Sequence, residues 1–438
     1  MAFPRRFWLA SLVFATGCLC FAGVLSTAIP SEPDTNGQLS PAAQLGKKIF
    51  FDPTLSASGR MSCATCHNPN YAYAPPNDLS VQYGGPHLET PGFRAVPSLR
   101  YVLNYVPRWS HAQATSEVER LTEPEEVPSG GYTWDGRAAS VHAQALIPLF
   151  NHAEMDNRNV TTLDRKLSHA SYAAQFRAIY GKHIFEHPLA AVTDATLALQ
   201  AFEMEDRSFH PYTSKFDLWL DGKAKLTPQE LRGKALFDDP KGGNCASCHL
   251  DEVSPNGAHP LFTDFQYEAV GVPRNNQIPW NHNPHYYDLG VCGPFRTDAA
   301  SKDPNNCGLF RTPSLRNVAT RHAFFHNGYF HSLRQVLEFY VQRDTDPGKW
   351  YPKGPDGKIE KFNDLPPQYR GNVDTVDAPL DNHLGGKPIW DAQQINDVIT
   401  FLKTLDDADV AHLADSAPAS AHASGPAARP EHRPAPHR

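Results

Sequence analysis

Positive charge is not in excess in this 438-residue chain: 40 Lys and Arg stand against 47 Asp and Glu, a net charge of −7. General affinity for nucleic acid is therefore not expected, and no DNA-binding or signalling segment is recognisable. Long hydrophobic runs are missing beyond the N-terminus, so no later segment is expected to span a membrane. Strand signals are few. Cysteine is sparse, with eight in the chain, and that scarcity makes the position of each one informative. Proline is plentiful at 39, which points to long ordered loops between helices.

The N-terminus carries the compartment signal. Arg5 and Arg6 precede an apolar run from Phe7 to Leu25, and Ser26-Thr27-Ala28 offers small residues for cleavage. Residues 1–28 read as a secretory signal, with an uncleaved membrane anchor as the alternative. The expected destination is the periplasm, with no membrane span left after cleavage. Cys18 and Cys20 leave with that segment. From Leu413 onward the chain is rich in Ala, Pro and His without an apolar pattern, and 411–438 is expected to be a disordered tail.

Four of the remaining cysteines fall in two copies of one motif. "SCATCH" places Cys63, Cys66 and His67 in the order C-x-x-C-H, and "NCASCH" repeats it with Cys245, Cys248 and His249. Two cysteines at this spacing can add to the two vinyl groups of one porphyrin, and the next residue can bind its iron. A redox dithiol needs no following histidine. A structural zinc site needs a second ligand pair, and none follows the first motif within about 20 residues, the usual window. Two covalent c-type hemes are expected, attached outside the cytoplasm. Cys292 and Cys307 flank the polar loop "GPFRTDAASKDPNN", and a disulfide closing it is expected in an oxidising compartment.

The chain also repeats itself. "LGKKIFFDP" at Leu45–Pro53 matches "RGKALFDDP" at Arg232–Pro240, an offset of 233 − 46 = 187. "VPSLRYV" at Val96–Val102 matches "TPSLRNV" at Thr312–Val318, offset 313 − 97 = 216. "WDGRAASV" at Trp134–Val141 matches "HNGYFHSL" at His326–Leu333, offset 327 − 135 = 192. Matches in a shared order point to internal duplication. The expected fold is all-α: two cytochrome-c-like heme domains, 29–220 and 221–410, with long loops. Helical spacing is read at Pro41–Phe51, Leu163–Tyr180, Ala195–Glu205, Thr227–Phe237, Ser332–Gln342 and Asp391–Leu405, with Ser40 and Thr227 as N-caps.

The repeat exposes an asymmetry. The helix after "HNGYFHSL" reaches Tyr340, and 340 − 192 = 148, where the first copy has Pro148. If Tyr340 ligates its iron, the first heme lacks the equivalent ligand and one face stays open to peroxide. Spacing alone also fits a core aromatic at 340. A peroxide-binding site needs a group that moves a proton between the two oxygens. Glu154 is the nearest suitable carboxylate, with Gln144 as a hydrogen-bonding neighbour; a surface position beside a helix end is its plainer reading.

The ordered set "LGKKIFFDP…SCATCH…WDGRA…Q…P…E…GKALFDDP…NCASCH…TPSLRNV…FFHNG…Y" resembles the bacterial diheme cytochrome c peroxidase and MauG superfamily, over nearly all of residues 41–405. The resemblance implies that His67 binds a high-spin, peroxide-reactive heme and His249 the second, electron-transfer heme. It makes Gln144, Pro148 and Glu154 the distal pocket, Trp134 a relay between the hemes, and Tyr340 the axial ligand of the second. Peroxidases of the family carry methionine at that position and take electrons from small cytochromes or copper proteins. MauG carries tyrosine and oxidises residues of a partner protein, and MbnH-like enzymes oxidise a partner's tryptophan. The tyrosine sides with that branch, so hydrogen peroxide and a redox partner or protein substrate are the expected partners. The alternatives are a classical cytochrome c peroxidase, reducing hydrogen peroxide with electrons from a small cytochrome or copper protein, and a non-enzymatic diheme electron carrier.

Two departures accompany the resemblance. The family often has an asparagine that helps bind calcium between the hemes, where this chain has Ala95; backbone oxygens of Arg321 and Ala323 stand at the other matching places. One calcium ion is thus an expectation short of a side-chain ligand. The histidine that caps the first heme in some resting peroxidases falls on His87 by one count and on Tyr83 by another, and a surface loop position is the plainer reading of each.

Overall fold

The computed structural model describes residues 38–101, 106–111 and 128–415. The expected signal segment, with Cys18 and Cys20, lies outside the described residues, as does the tail beyond 415. Helices dominate. In chain order they are α1 Pro41–Phe50, α2 Cys63–Cys66, α3 Val141–Phe150, α4 Val160–His169, α5 Ala173–Tyr180, α6 Pro188–Glu205, α7 Lys215–Leu220, α8 Pro228–Asp238, α9 Leu333–Gln342 and α10 Ala392–Lys403. Sheet among the described residues is confined to two-residue antiparallel pairs: β1 Tyr83–Gly84 with β2 Thr90–Pro91, β3 Ser110–His111 with β4 Pro128–Ser129, and β5 Tyr267–Glu268 with β6 Phe310–Arg311. No described helix is long and apolar enough to cross a membrane.

Side-chain chemistry starts these helices where the sequence marks them. The Ser40 hydroxyl accepts from the Ala43 N–H and the Thr227 hydroxyl from the Glu230 N–H, and each cap is followed by proline at the first helical position. Ser140 caps α3 and Ser332 caps α9 in the same way. Two expectations change. The helix expected over Leu163–Tyr180 breaks into α4 and α5 at Ala170, whose backbone is extended (ψ 152°), and Tyr172, at the start of α5, donates its hydroxyl to Asp52 at 2.7 Å. The helix expected from Ala195 starts earlier, at Pro188, whose fixed φ suits a first turn.

The apolar faces close two cores. The first gathers Leu45, Phe50, Leu163, Phe176 and Phe202 and runs to Phe209; the second begins at Phe216 and holds Phe237, Phe339 and Phe401. A fully buried phenylalanine contributes about 1.5–3 kcal/mol, so such clusters hold each unit together. Because Phe216 packs into the second core, α7 belongs there, ahead of the boundary expected at 220. The chain also stays ordered past 410: Ala411–Asp415 forms a 3-10 turn, and Leu413 is buried with Ala72 and Val410. Cys292 and Cys307 form the expected disulfide.

The two cores are built around one kind of crossing. α1 lies across α6, and α8 lies across α10. At the first crossing a Cβ on Gly46 would sit 1.8 Å from the Ala198 carbonyl oxygen; at the second, a Cβ on Gly233 would sit 2.0 Å from that of Asp397. Both glycines have helical backbone and are needed for the close approach of two backbones, not for a turn.

Candidate functional site

The first C-x-x-C-H is one turn of helix. The Ser62 N–H donates to the Thr65 hydroxyl at 3.0 Å and the His67 N–H to the Cys63 carbonyl at 2.9 Å. That turn sets Cys63, Cys66 and His67 at i, i+3 and i+4, one side of the chain. The second motif does the same in a 3-10 turn, with the His249 N–H donating to the Cys245 carbonyl at 2.9 Å. None of the four thiols is in a disulfide. Burial pushes the Cys63, Cys66 and Cys245 thiols up to about 12 and raises Cys248 too. A dithiol working by exchange needs a thiolate near neutral pH, so this environment opposes the redox reading.

Both histidines are oriented by a backbone carbonyl. His67 Nδ1 lies 3.1 Å from the Tyr73 oxygen and His249 Nδ1 lies 2.9 Å from the Phe262 oxygen. A carbonyl only accepts, so each Nδ1 carries the proton and each Nε2 is left as a lone-pair donor. Burial lowers both imidazoles to about 4, which keeps them neutral, the form that ligates a metal.

The two carbonyls are aimed by strained backbone. Tyr73 has φ 56° and Phe262 φ 54°, left-handed values that cost a non-glycine residue energy. The repeated "PSLR" segments hold that conformation. The Ser98 and Ser314 hydroxyls donate at 2.6 Å to the Ala72 and Leu261 carbonyls, the residues just before the strained ones. Arg100 Nε donates to the Ser208 carbonyl and Arg316 Nε to that of Pro260, and both guanidiniums are pinned by aspartates, Asp407 and Asp409 for one and Asp217 for the other. These residues appear in the sequence only as a repeat; which carbonyl they position depends on contacts across the fold.

Gln144 and Pro148 lie four residues apart on α3 and so share a face; proline has no N–H to return to the Gln144 carbonyl. Glu154 follows in the turn after α3, half-buried, its carboxylate accepting from the Asn151 amide at 2.7 Å. Burial raises its pKa, partly offset by Asn151 and by Arg137. Glu154 is near enough to Cys63 and Cys66 to raise both thiols, which brings this carboxylate to the first motif. The β1–β2 hairpin packs against the same turn: a Cβ on Gly84 would meet the Ala153 carbonyl oxygen at 2.3 Å. Tyr83 and His87 sit on that hairpin with exposed side chains.

The second motif opens onto a cavity of about 260 Å³ bounded by Cys245, Cys248, His249, Phe324 and Tyr340. Tyr340 is on α9, and burial raises its pKa further above the ordinary tyrosine value, with the neighbouring Cys248 and Cys245 acting in the same direction. Among the described residues its phenol has no hydrogen-bond partner. Trp134 and Arg321 lie on the wall of the same cavity. The Trp134 Nε1–H donates to the Ala95 carbonyl at 2.8 Å, and the Ala95 N–H donates to the His326 carbonyl at 2.7 Å, so the tryptophan is tied to the strand of chain that leads to Pro97 and Ser98. Two thiols, a neutral imidazole and an apolar-walled cavity fit a c-type heme, and Arg321, which has no carboxylate partner among the described residues, suits a heme's carboxylate edge.

The expected calcium position does not fit a metal ion. Arg321 turns its own guanidinium onto the Val96 carbonyl at 2.9 Å and the Ala323 carbonyl at 3.2 Å. A cation is therefore already in contact with one of the two oxygens assigned to calcium, and Ala95 adds no oxygen from its side chain.

The comparisons with known proteins agree with one another. A family model described as di-haem cytochrome c peroxidase matches residues 40–225. The methylamine utilization protein MauG of Paracoccus denitrificans is 30% identical over 400 residues, covering 89% of this chain and 95% of that protein. Cytochrome c551 peroxidase of Nitrosomonas europaea is 27% identical over 320 residues, 72% of this chain and 78% of that one. Among solved structures, the diheme peroxidase BthA from Burkholderia thailandensis superposes with a TM-score of 0.76 at 37% identity, over 91% of each chain.

Proposed function

This chain belongs to the di-haem cytochrome c peroxidase family that includes MauG, and on that premise we propose that it is a diheme oxidoreductase using hydrogen peroxide at the His67 site. Both hemes are held covalently, by Cys63 and Cys66 and by Cys245 and Cys248. The two units arose by duplication, an origin supported by the paired helix starts, 228 − 41 = 187 and 333 − 141 = 192, and by the twin glycine crossings. The N-terminal segment directs the protein to the periplasm.

The hemes, when bound, supply peroxide activation and electron storage; the polypeptide supplies the rest. His67 and His249 each offer Nε2, fixed by the hydrogen bond their Nδ1 makes. Pro148 offers no ligating atom, which leaves one face of the first site open. Glu154 takes a proton from the proximal oxygen of peroxide and returns it to the distal one, with Asn151 holding the carboxylate and Gln144 beside it. Burial raises its pKa, the direction that suits a carboxyl that must accept and then release a proton. Tyr340 would hold the second heme through its phenol oxygen, a ligand that favours oxidised states. Trp134 would pass electrons between the two sites.

The observation that carries this reading is the pairing of Pro148 and Tyr340 at one position of equivalent helices, with Glu154 half-buried beside the first motif where the matching Asp346 of the second unit is exposed. The MauG relationship favours a partner protein whose tryptophan or tyrosine is oxidised. A second reading, peroxide reduction with electrons from a small cytochrome or copper protein, is favoured by the likeness to BthA, described as a diheme peroxidase. The test is mass spectrometry with EPR of the ferric protein. Two added heme masses, one high-spin and one low-spin signal are expected; two low-spin signals that do not change on adding peroxide would return the protein to a plain electron carrier.

A further inference from the structure

The cation that belongs between the two sites is part of the chain. Arg321 Nη2 donates to the carbonyls of Val96, in the first unit's "PSL" segment, and of Ala323, in the second unit. Arginine remains protonated at any working pH, so a permanent charge stands at this junction. It is near enough to His67 to lower that imidazole and also lies on the wall of the His249 cavity. Beside the guanidinium the chain leaves a space of about 10 Å³ bounded by Asn77, Val96, His322 and Ala323. That is room for about one water. Calcium takes about six to eight oxygens at 2.3–2.6 Å, and a neighbouring guanidinium repels it.

Arg321 forms no ion pair with the described carboxylates, although a half-buried guanidinium is costly without an anion. No described residue supplies that anion, and the cavity Arg321 borders is the one fitted to a heme, whose edge carries two carboxylates. We propose that Arg321 replaces the inter-heme calcium ion in this protein, bridging the two units through Val96 and Ala323 and pairing with a heme propionate. The metal is thereby traded for a charge that cannot be chelated away.

This rests on the two-heme reading, so heme content is measured first: a protein lacking two hemes fails that reading, whereas the results below bear on Arg321. Metal analysis of the wild-type holoprotein after dialysis against calcium-containing buffer and desalting should find no stoichiometric calcium. EDTA should leave the ferric EPR and absorption spectra unchanged. About one calcium per chain, or spectra that change with EDTA, would overturn the inference without any variant. Arg321→Gln removes the charge and keeps the hydrogen-bonding head, and Arg321→Lys keeps the charge. Redox titration should give a lower potential for the second heme in the glutamine variant, with most of the wild-type value kept by lysine. Equal potentials in all three proteins would remove the propionate pairing.

Discussion

The two halves of this molecule share a scaffold and differ where chemistry would happen. α3 and α9 begin with a serine cap after the same turn and have the same length, yet position 148 is proline and position 340 is tyrosine. The turn after α3 delivers Glu154 to the first motif; the chain after α9 buries Arg343 and Asp344 as an ion pair at 2.7 Å instead. What stays constant is the support: the helix crossing through a glycine, the carbonyl on the histidine Nδ1, and the serine and arginine that hold that carbonyl. The differences fall on α3, α9 and the turns after them and leave the supports of His67 and His249 alike. Two units of one scaffold can differ this way because the residues that orient the two histidines also tie the fold together, through pairs such as Arg100 with Asp407 and Arg316 with Asp217.

The shared part should be the more fragile. Gly46→Val and Gly233→Val would each drive a side chain into a helix backbone that cannot move aside, with 1.8 Å and 2.0 Å available to a Cβ. Each variant should lose cooperative thermal unfolding and accumulate poorly. A stable Gly233→Val protein beside an unstable Gly46→Val would mean the crossings are not equivalent.

The divergent part should yield large changes in rate with the fold intact. Glu154→Gln should keep both hemes and slow the reaction with peroxide by roughly 10²–10⁴-fold, the range for a positioned acid–base group. Stopped-flow mixing checks it, and an unchanged rate would take Glu154 out of the mechanism. Tyr340→Phe deletes one oxygen from a side chain with no hydrogen bond to lose, so stability should hold. The second heme's low-spin EPR signal should give way to a five-coordinate or water-bound one, while peroxide still reacts at the first site at close to the wild-type rate. A wild-type spectrum would make Tyr340 a core aromatic and leave the second axial ligand unassigned.

Much of this was legible in the sequence because the chemistry is local. A C-x-x-C-H turn fixes its own geometry, and Ser40 and Thr227 announce their helices within four residues. The asymmetry at 148 and 340 follows from the repeat offset alone. Other features depend on contacts across the fold. Nothing in "YAYAPP" says that the Tyr73 carbonyl turns onto His67, and no spacing says that Gly46 faces a carbonyl 152 residues away, 198 − 46. The family likeness concerns only the backbone oxygen of Arg321; its side chain, which no motif marks, changes the meaning of the site. Pro188 was the missed local signal, a helix start standing ahead of the apolar pattern at Ala195.

The smallest effect concerns a residue the motifs did not mark. Glu203 on α6 is 4% exposed, and its Oε2 has no hydrogen-bond partner. Burial raises its pKa to about 8. It acts on Cys63, Tyr73 and Tyr132 around the first motif, and none of these is a cation that could hold it ionised. Its counterpart is apolar: the crossing partners Ala198 and Asp397 differ by 199, and 203 + 199 = 402 is Leu402. The folded protein keeps this carboxyl protonated above the pH at which an unfolded glutamate ionises. Between the ordinary carboxylate range and about pH 8 the native state therefore holds one more proton than the unfolded state. Its stability should be greatest below that window and fall by about 1.4 kcal/mol per pH unit as pH rises through it. Urea unfolding of Glu203→Gln and Glu203→Leu at several pH values between 5 and 8 should give a flatter profile than wild type. Some slope should remain from Asp406, which burial and Asp407 also raise. Parallel profiles would mean that Glu203 is ionised in the folded protein, held by a partner supplied with the heme, and that the first unit carries a buried charge where the second carries leucine.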